Sequence, residues 1–531
     1  MKQHPSFSLA EALKTVAIFL LIVLMLVLVI LLVIGQNGTK EEILPQADRM
    51  VVYASGVEPK YAEGMDTARV SPYLIAYRHG GGDTNIMHAS DTVPKAYETV
   101  YPLLRHLFGS GAVGYAMHAD DGETLWSVCM GLTDYIYIRY HTALPESVIR
   151  AYTYSEGDSE TTTSVLDERV NGDSAYIREL FFVPAVRLKA SENLLPMALP
   201  RDQEAICAVT CDERGRVTLY VMAGSAQPAA EASADEDAAF SGTARTSAAF
   251  SGTFDAYIAS LETLSPQVQT GTLMSSDTAY GSAVSLHGLY SMPQITRKQY
   301  DLAQSLYQDP KKLSAVLSLL GLREGEADNY YTDGVGDRIY LNASGRLTIS
   351  GGASMIRYVS MQEGGLDLEN YLGYASIGGE YLLSEYLRAS DKLLSQLESL
   401  DTAFGGDALV CTLIDVKMGS DASADTLVLT YVYTYRGIPL LDENGDILTA
   451  MVLRAGNGVI TDLELYLCHA EISEDEYYLL PQSVTLEALA LEYAQTMNTP
   501  SKLAKNLYMG YLSDAKNGYG IYSADWIALM Q

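Results

Sequence analysis

Twenty consecutive residues without a charge, TVAIFLLIVLMLVLVILLVI from Thr15 to Ile34, constrain this chain more than any other feature. In a helix they would rise about 30 Å, the thickness of a bilayer's hydrocarbon core. A cleaved leader differs: its apolar stretch is shorter, ~7–15 residues, and it ends in small residues of A-x-A type. This run instead ends Val33-Ile34-Gly35-Gln36. Lys2 and Lys14 precede it against Glu11 alone, and Lys40, Glu41 and Glu42 follow it. The positive-inside rule then predicts a cytoplasmic tail over 1–14, a transmembrane helix over 15–35 and an extracytoplasmic remainder over 36–531. The expected localisation is the cell membrane, in a single pass.

Charge narrows the partners. With 66 acidic against 35 basic residues the net charge is −31, which repels nucleic-acid phosphates, so no nucleic-acid partner is expected beside membrane lipid. Five cysteines, Cys129, Cys207, Cys211, Cys411 and Cys468, are too few for a disulfide framework. Cys207 and Cys211 lie four apart in a strand-like run, about 13 Å along an extended chain and beyond bridging reach. Their surroundings predict small buried hydrophobes.

The remainder reads as several regions. Over 36–223, candidate strands are Met50–Tyr53, Pro72–Tyr77, Ala112–Met117, Tyr135–Tyr140 and Val217–Met222. A helix is predicted over Val93–Phe108, with Pro94 in its first turn and Gly109 just past its end. Residues 224–252 form a low-complexity insertion in which AAFSGT occurs twice. A central α+β region, 253–365, opens its second half with a helical pattern over 296–321, broken near Pro310, and then a meander. The C-terminal module, 366–531, holds a helix over 380–400, strands and turns over 426–467 and a helix over 484–496. The fold class expected is α+β, with antiparallel sheets and helices packed on one face.

Chemistry is sparse. The stretch PYLIAYRHGGGDTNIM (72–87) contains Arg78-His79-Gly80, a tripeptide that presents the nucleophilic histidine of histidine phosphatases. In those enzymes it ends a strand of a parallel sheet and leads into a helix. Here strand, glycine turn, strand and helix follow one another, which is a hairpin pattern. A second His-Gly, His287-Gly288, lies beyond the insertion. Asp442-Glu443-Asn444-Gly445-Asp446 offers oxygens at alternate positions but lacks the twelfth-position glutamate of a calcium loop, so it reads as a turn. No catalytic residue, metal ligand or cofactor is expected, and the chain reads as a binding or regulatory protein, not an enzyme.

Three stretches carry a resemblance: YYTDGVGDRIYLNASGRLTI (330–349), TYVYTYRGIPLLDENGDILTAMV (430–452) and the closing MGYLSDAKNGYGIYSADWIAL. With the anchor and a multi-domain ectodomain, they resemble the YycH and YycI proteins of low-GC Gram-positive bacteria. Ser523-Ala524-Asp525-Trp526 stands where that family has Pro-Ala-Trp, and the alanine-rich insertion departs from its pattern. The resemblance places the Arg-His-Gly stretch in the family's first ectodomain hairpin and makes 366–531 a YycI-like module. It implies association with a YycH- or YycI-like partner and with the WalK sensor histidine kinase (YycG) of a two-component system. It further implies modulation of kinase output and hence of cell-wall homeostasis, without catalytic residues. An envelope-anchored ligand- or peptidoglycan-binding protein without a kinase partner is the alternative, and a histidine phosphatase is the third reading.

Overall fold

Apolar runs flank the glycine run at 80–82, Leu74-Ile75-Ala76-Tyr77 before it and Ile86-Met87 after it, and the two segments pair as antiparallel strands, β1 (Leu74–Arg78) and β2 (Thr84–His88). Leu74 lies opposite His88 and Tyr77 opposite Asn85. The computed structural model describes residues 65–108, 113–153, 176–189, 195, 199, 205–212, 215–222, 253–264, 269–275, 282–286, 290–298, 306–322, 330–334, 336–342, 344–350, 354–361, 364–373, 381, 383–400, 409–421, 424–481, 484–485, 507–514 and 520–528. All belong to one compact unit. The apolar segment 15–34, the strand expected over Met50–Tyr53, the insertion 224–252 and nearly all of the helix expected over 484–496 lie outside the described residues. Among the described residues no helix is long and apolar enough to cross a membrane.

The hairpin belongs to a nine-stranded antiparallel sheet. Its other strands are β3 (Val113–Ala116), β4 (Tyr135–Pro145), β5 (Tyr176–Pro184), β6 (Ile206–Cys211), β7 (Val217–Met222), β8 (Gln269–Ser275) and β9 (Ser282–Leu286). They run in the order β3-β7-β6-β5-β4-β1-β2-β8-β9. β6 is buried at every residue and β5 at nearly every one, the signature of a sheet covered on both faces. Helix α1 (Thr92–Phe108) turns a stripe of Val93, Ala96, Tyr97, Val100, Leu103, Leu104, Leu107 and Phe108 inward, and its Tyr97 meets Tyr140 of β4. Helix α2 (Ala119–Gly131) packs Trp126 on Phe181 of β5, 4.8 Å between ring centroids. Phe181 pairs with Tyr137, whose side chain leaves the sheet opposite to that of Tyr140. Helices therefore cover both faces of this sheet, not one, because its strands are apolar on both sides.

A second sheet of fourteen strands follows: β10 (Tyr290–Lys298), β11 (Tyr330–Thr332), β12 (Arg338–Leu341), β13 (Gly345–Ser350), β14 (Met355–Ser360), β15 (Leu366–Asp367), β16 (Val410–Asp421), β17 (Ala424–Tyr435), β18 (Ile438–Leu441), β19 (Thr449–Gly456), β20 (Val459–Tyr466), β21 (His469–Leu479), β22 (Leu507–Ser513) and β23 (Gly520–Ala528). The main path is β11-β12-β13-β14-β20-β19-β17-β18-β22-β23-β10-β21, with β15 on β20 and β16 on β17. All of its pairs are antiparallel except β18 with β22. The class is thus α+β with mostly antiparallel sheets, as expected.

Two expectations differ. Residues 296–298 end β10, where Ile295, Thr296 and Arg297 pair with β23 on one side and β21 on the other, so sheet contacts override the helical pattern there. Helical residues are present at 306–308 and break at Asp309, as expected near Pro310, and α6 (Pro310–Leu319) follows, after the short helices α3 (Glu146–Thr153), α4 (Ala185–Leu188) and α5 (Phe254–Thr263). Asp309 caps it by accepting from the Lys311 and Lys312 N–H groups. The sheets divide between Leu286 and Tyr290, and a boundary at 365 falls inside the second sheet, because β14 bonds to β20 from Met355↔Tyr466 to Val359↔Asp462. Beyond the short α7 (Glu369–Leu372), helix α8 (Leu383–Leu400) lays Leu383, Leu387, Leu394 and Leu397 into the core, within the span expected for it.

Candidate functional site

Arg78-His79-Gly80 sits at the β1–β2 turn, where Gly80 and Gly81 take φ of 59° and 75°, a conformation that glycine adopts without strain. Arg78 spends its guanidinium on the turn itself: Nε donates to the Gly82 carbonyl at 2.7 Å and Nη1 to the Leu132 carbonyl at 3.3 Å. Asp134, buried at the start of β4, gathers the rest. Its Oδ1 accepts the Gly80 N–H at 2.7 Å and lies 3.4 Å from His79 Nδ1. Its Oδ2 accepts the Thr133 hydroxyl at 2.7 Å and lies 2.6 Å from Arg187 Nη2 in α4. Burial would raise this carboxyl, but the Gly80 N–H, the Thr133 hydroxyl, Arg187 and His79 outweigh it and hold it below the usual range. The arrangement staples a turn. An arginine bonded to main-chain carbonyls is not presented to a phosphate, and the strand after the turn makes this the expected hairpin. His287-Gly288 lies outside the described residues.

The Asp442 loop is likewise self-contained. Asp442 Oδ1 accepts the N–H groups of Asn444 and Asp446 at 2.8 and 2.9 Å, and Gly445 at φ 85° closes the turn between β18 and β19. The five cysteines are all buried and free; burial pushes the Cys207 thiol up to about 12 and Cys468 to about 11. That suits small core residues rather than nucleophiles.

Tyr73, His88, His141 and Tyr290, which sequence reading did not single out, meet Trp526 where the two sheets join. His88, the last residue of β2, is buried with Nδ1 3.2 Å from the Tyr290 hydroxyl of β10. Its ring stacks toward Trp526 of β23, 6.4 Å between centroids and 12° between planes. Tyr73 stands between His88 and His141, at 4.4 and 5.0 Å, while its hydroxyl accepts the Met509 N–H of β22 at 2.9 Å. Trp526 Nε1 donates to the Leu480 carbonyl at 2.9 Å. Burial, then the neighbouring His141 and Arg139 charges, push His88 down to about 3. Burial also lowers His141, to about 4, against a backbone hydrogen bond with Gly437. Both imidazoles are therefore neutral at pH 7. Nε2 of each has no hydrogen-bond partner among the described residues.

A second cluster ties the segment before β1 to the second sheet. Arg69, in the 3-10 turn Thr67–Val70, is buried and binds both carboxylate oxygens of Glu398 in α8, at 3.1 and 2.7 Å. It also reaches the Cys411 carbonyl of β16 and Ser395. Asp391 of α8 is fully buried beside it, with Oδ1 3.8 Å from Arg69 Nε. Asp391 accepts the Tyr152 hydroxyl of α3 at 2.7 Å and the Asp66 N–H at 3.2 Å. A charge on the apolar stripe of α8, one turn after Leu387 and just before Leu394, was the sequence signal for this cluster. No protein-family model matches the chain, and no curated protein or solved structure matches it.

Proposed function

We propose that the chain is a single-pass, membrane-anchored extracytoplasmic regulator that associates with a two-component sensor histidine kinase and modulates its output. The observation that carries this reading is the uncharged run Thr15–Ile34, with lysines before it and a large folded α+β unit after it. The resemblance to YycH and YycI supplies the kinase and the link to cell-wall homeostasis. Two features support a binding role. The Arg78 and Asp442 groups that suggest chemistry are bonded within their own turns. The two sheets are also joined by buried side chains, which suits a unit that presents surfaces to partners.

The test is co-purification of the tagged full chain from detergent-solubilised membranes of a Gram-positive host, together with a topology reporter fused after Gln531. A histidine kinase in the eluate and an active extracytoplasmic phosphatase reporter are expected. Recovery of cell-wall glycan without a kinase would favour the envelope-anchored ligand-binding reading. A reporter active only in the cytosol would overturn the anchor orientation and the regulator reading with it.

A further inference from the structure

Three carboxylates crowd one guanidinium at the entry to the folded unit. Asp66, Asp391 and Glu398 lie 4.0, 3.8 and 2.7 Å from nitrogens of Arg69, and Arg69 and Asp391 are buried. Glu398 engages Arg69 through both oxygens and balances its charge, while Arg69 Nε has no hydrogen-bond partner among the described residues. Asp391 adds a second negative charge in a fully buried place, so the cluster is nearer to neutral when Asp391 carries a proton. The groups that face Asp391 are Asp66 and Arg69 of the entry segment, Tyr152 of α3 and, beyond Tyr152, Tyr431 of β17.

We infer that residues 66–70 form a proton-operated latch: proton uptake by Asp391 tightens the seating of this segment on α8 and β16, and proton release loosens it. Lifting the segment removes the Asp66 N–H and Arg69 from Asp391 and exposes the carboxyl to water, where it ionises at its ordinary value. Seated, the carboxyl is pushed up to about 7 by burial, against the pull of Arg69, the Tyr152 hydroxyl and the Asp66 N–H. The sign follows from linkage. The seated state holds a proton that the lifted state gives to solvent, so seating is strongest near pH 4, weakens up to about pH 7 and is level above it. The effect is at most about tenfold in the lifting equilibrium per pH unit. In the seated state Arg69 keeps its bonds to Glu398 whether or not Asp391 is protonated, so the device modulates the attachment and does not abolish it. If the anchor reading under Proposed function holds, this segment lies in the chain between the membrane helix and β1, and the latch sets how firmly it is held to α8 and β16.

Hydrogen exchange of the full chain in detergent, corrected for the intrinsic rate, tests this at pH 7.5, 6.5 and 5.5. Protection of peptides covering 66–71 is expected to rise as pH falls, relative to peptides of β1, by up to about tenfold per unit. Asp391→Asn, neutral at every pH, should flatten that rise. Tyr152→Phe, which deletes a hydrogen bond to the ionised carboxylate, should move it to higher pH. A wild-type profile without a rise, the same rise in Asp391→Asn, or an unmoved Tyr152→Phe profile would each overturn the latch. The readout needs neither a kinase nor a membrane orientation, so its failure leaves the proposed function standing, and the reverse also holds.

Discussion

Arg436, in the turn between β17 and β18, grips Asp91, just before α1, through both carboxylate oxygens, at 3.0 and 3.2 Å, from a residue held at φ 50°. Arg436 and Gly437, at φ 76°, form the two-residue turn between β17 and β18, where a left-handed pair matches the twist of the strands. A non-glycine residue there costs about 1 kcal/mol or more. The ion pair is largely open to water on the Asp91 side and is worth less than about 1 kcal/mol. Arg436→Gly should therefore leave stability within about 1 kcal/mol of wild type, because relief of strain offsets the lost pair. Arg436→Ala keeps the strain and loses the pair, so it should be the less stable of the two in urea unfolding.

Trp526 is buried in β23 against His88 and Tyr290. Truncation to Ala should cost ~3–5 kcal/mol, read as a lower urea midpoint of the full chain. Trp526→Phe keeps most of the volume but leaves the Leu480 carbonyl without its donor, and about 1–3 kcal/mol is expected. Equal losses for the two variants would show that the indole N–H, not the packing, is what matters at this position.

His88 and His141 make stability fall in acid. Unfolded, each binds a proton near pH 6.5; folded, each stays neutral to about 3 and 4. Their contribution is complete above pH 6.5 and is lost as pH drops toward those folded values, at up to about 1.4 kcal/mol per pH unit for each imidazole. Asp391 acts with the opposite sign between about pH 4 and 7. Between pH 5 and 6 these three groups should together contribute a loss of stability with a slope of about one proton, and about two in Asp391→Asn; burial lowers His106 as well and adds to both slopes alike. His88→Phe should flatten the wild-type slope. Urea midpoints at four pH values decide this.

Asp134 and His79 should separate structure from chemistry. Asp134→Ala strips the Gly80 N–H, Thr133 and Arg187 of their shared acceptor and should cost about 1–3 kcal/mol. His79→Ala removes a half-exposed ring and should cost less than about 0.5 kcal/mol. Neither change should alter phosphate-ester hydrolysis, which is expected at background from pH 4 to 9. Hydrolysis abolished by His79→Ala would restore the phosphatase reading.

Local signals were legible in the sequence, and distant ones were not. Helix α1 was readable because one stripe and a first-turn proline act within a few turns, and β17 to β20 because Asp442–Gly445 and Asn457-Gly458 are tight turns between alternating segments. The first sheet's helices on both faces could not be read from strand patterns, since a strand buried on both sides looks merely apolar. The last residues of β10, 296–298, resembled the start of a helix because their place in the sheet depends on β21 and β23, partners more than 170 residues away in the chain. The junction of His88, Tyr290 and Trp526 and the cluster of Arg69 and Asp391 have the same origin: each joins residues hundreds of positions apart. Only the carboxylate on the stripe of α8 left a local trace.

The placement of β22 and β23 has a consequence for synthesis. They lie between β18 and β10, so the pair β10–β21 meets the rest of the second sheet through β22 and β23, its most C-terminal strands among the described residues. Until residues 507–528 have emerged, that sheet is two pieces with open edges, and a ribosome releasing the chain early leaves them so. Synthesis past residue 528 is thereby coupled to closure of the sheet, and a product cut short before it carries unpaired strand edges that chaperones and proteases can recognise.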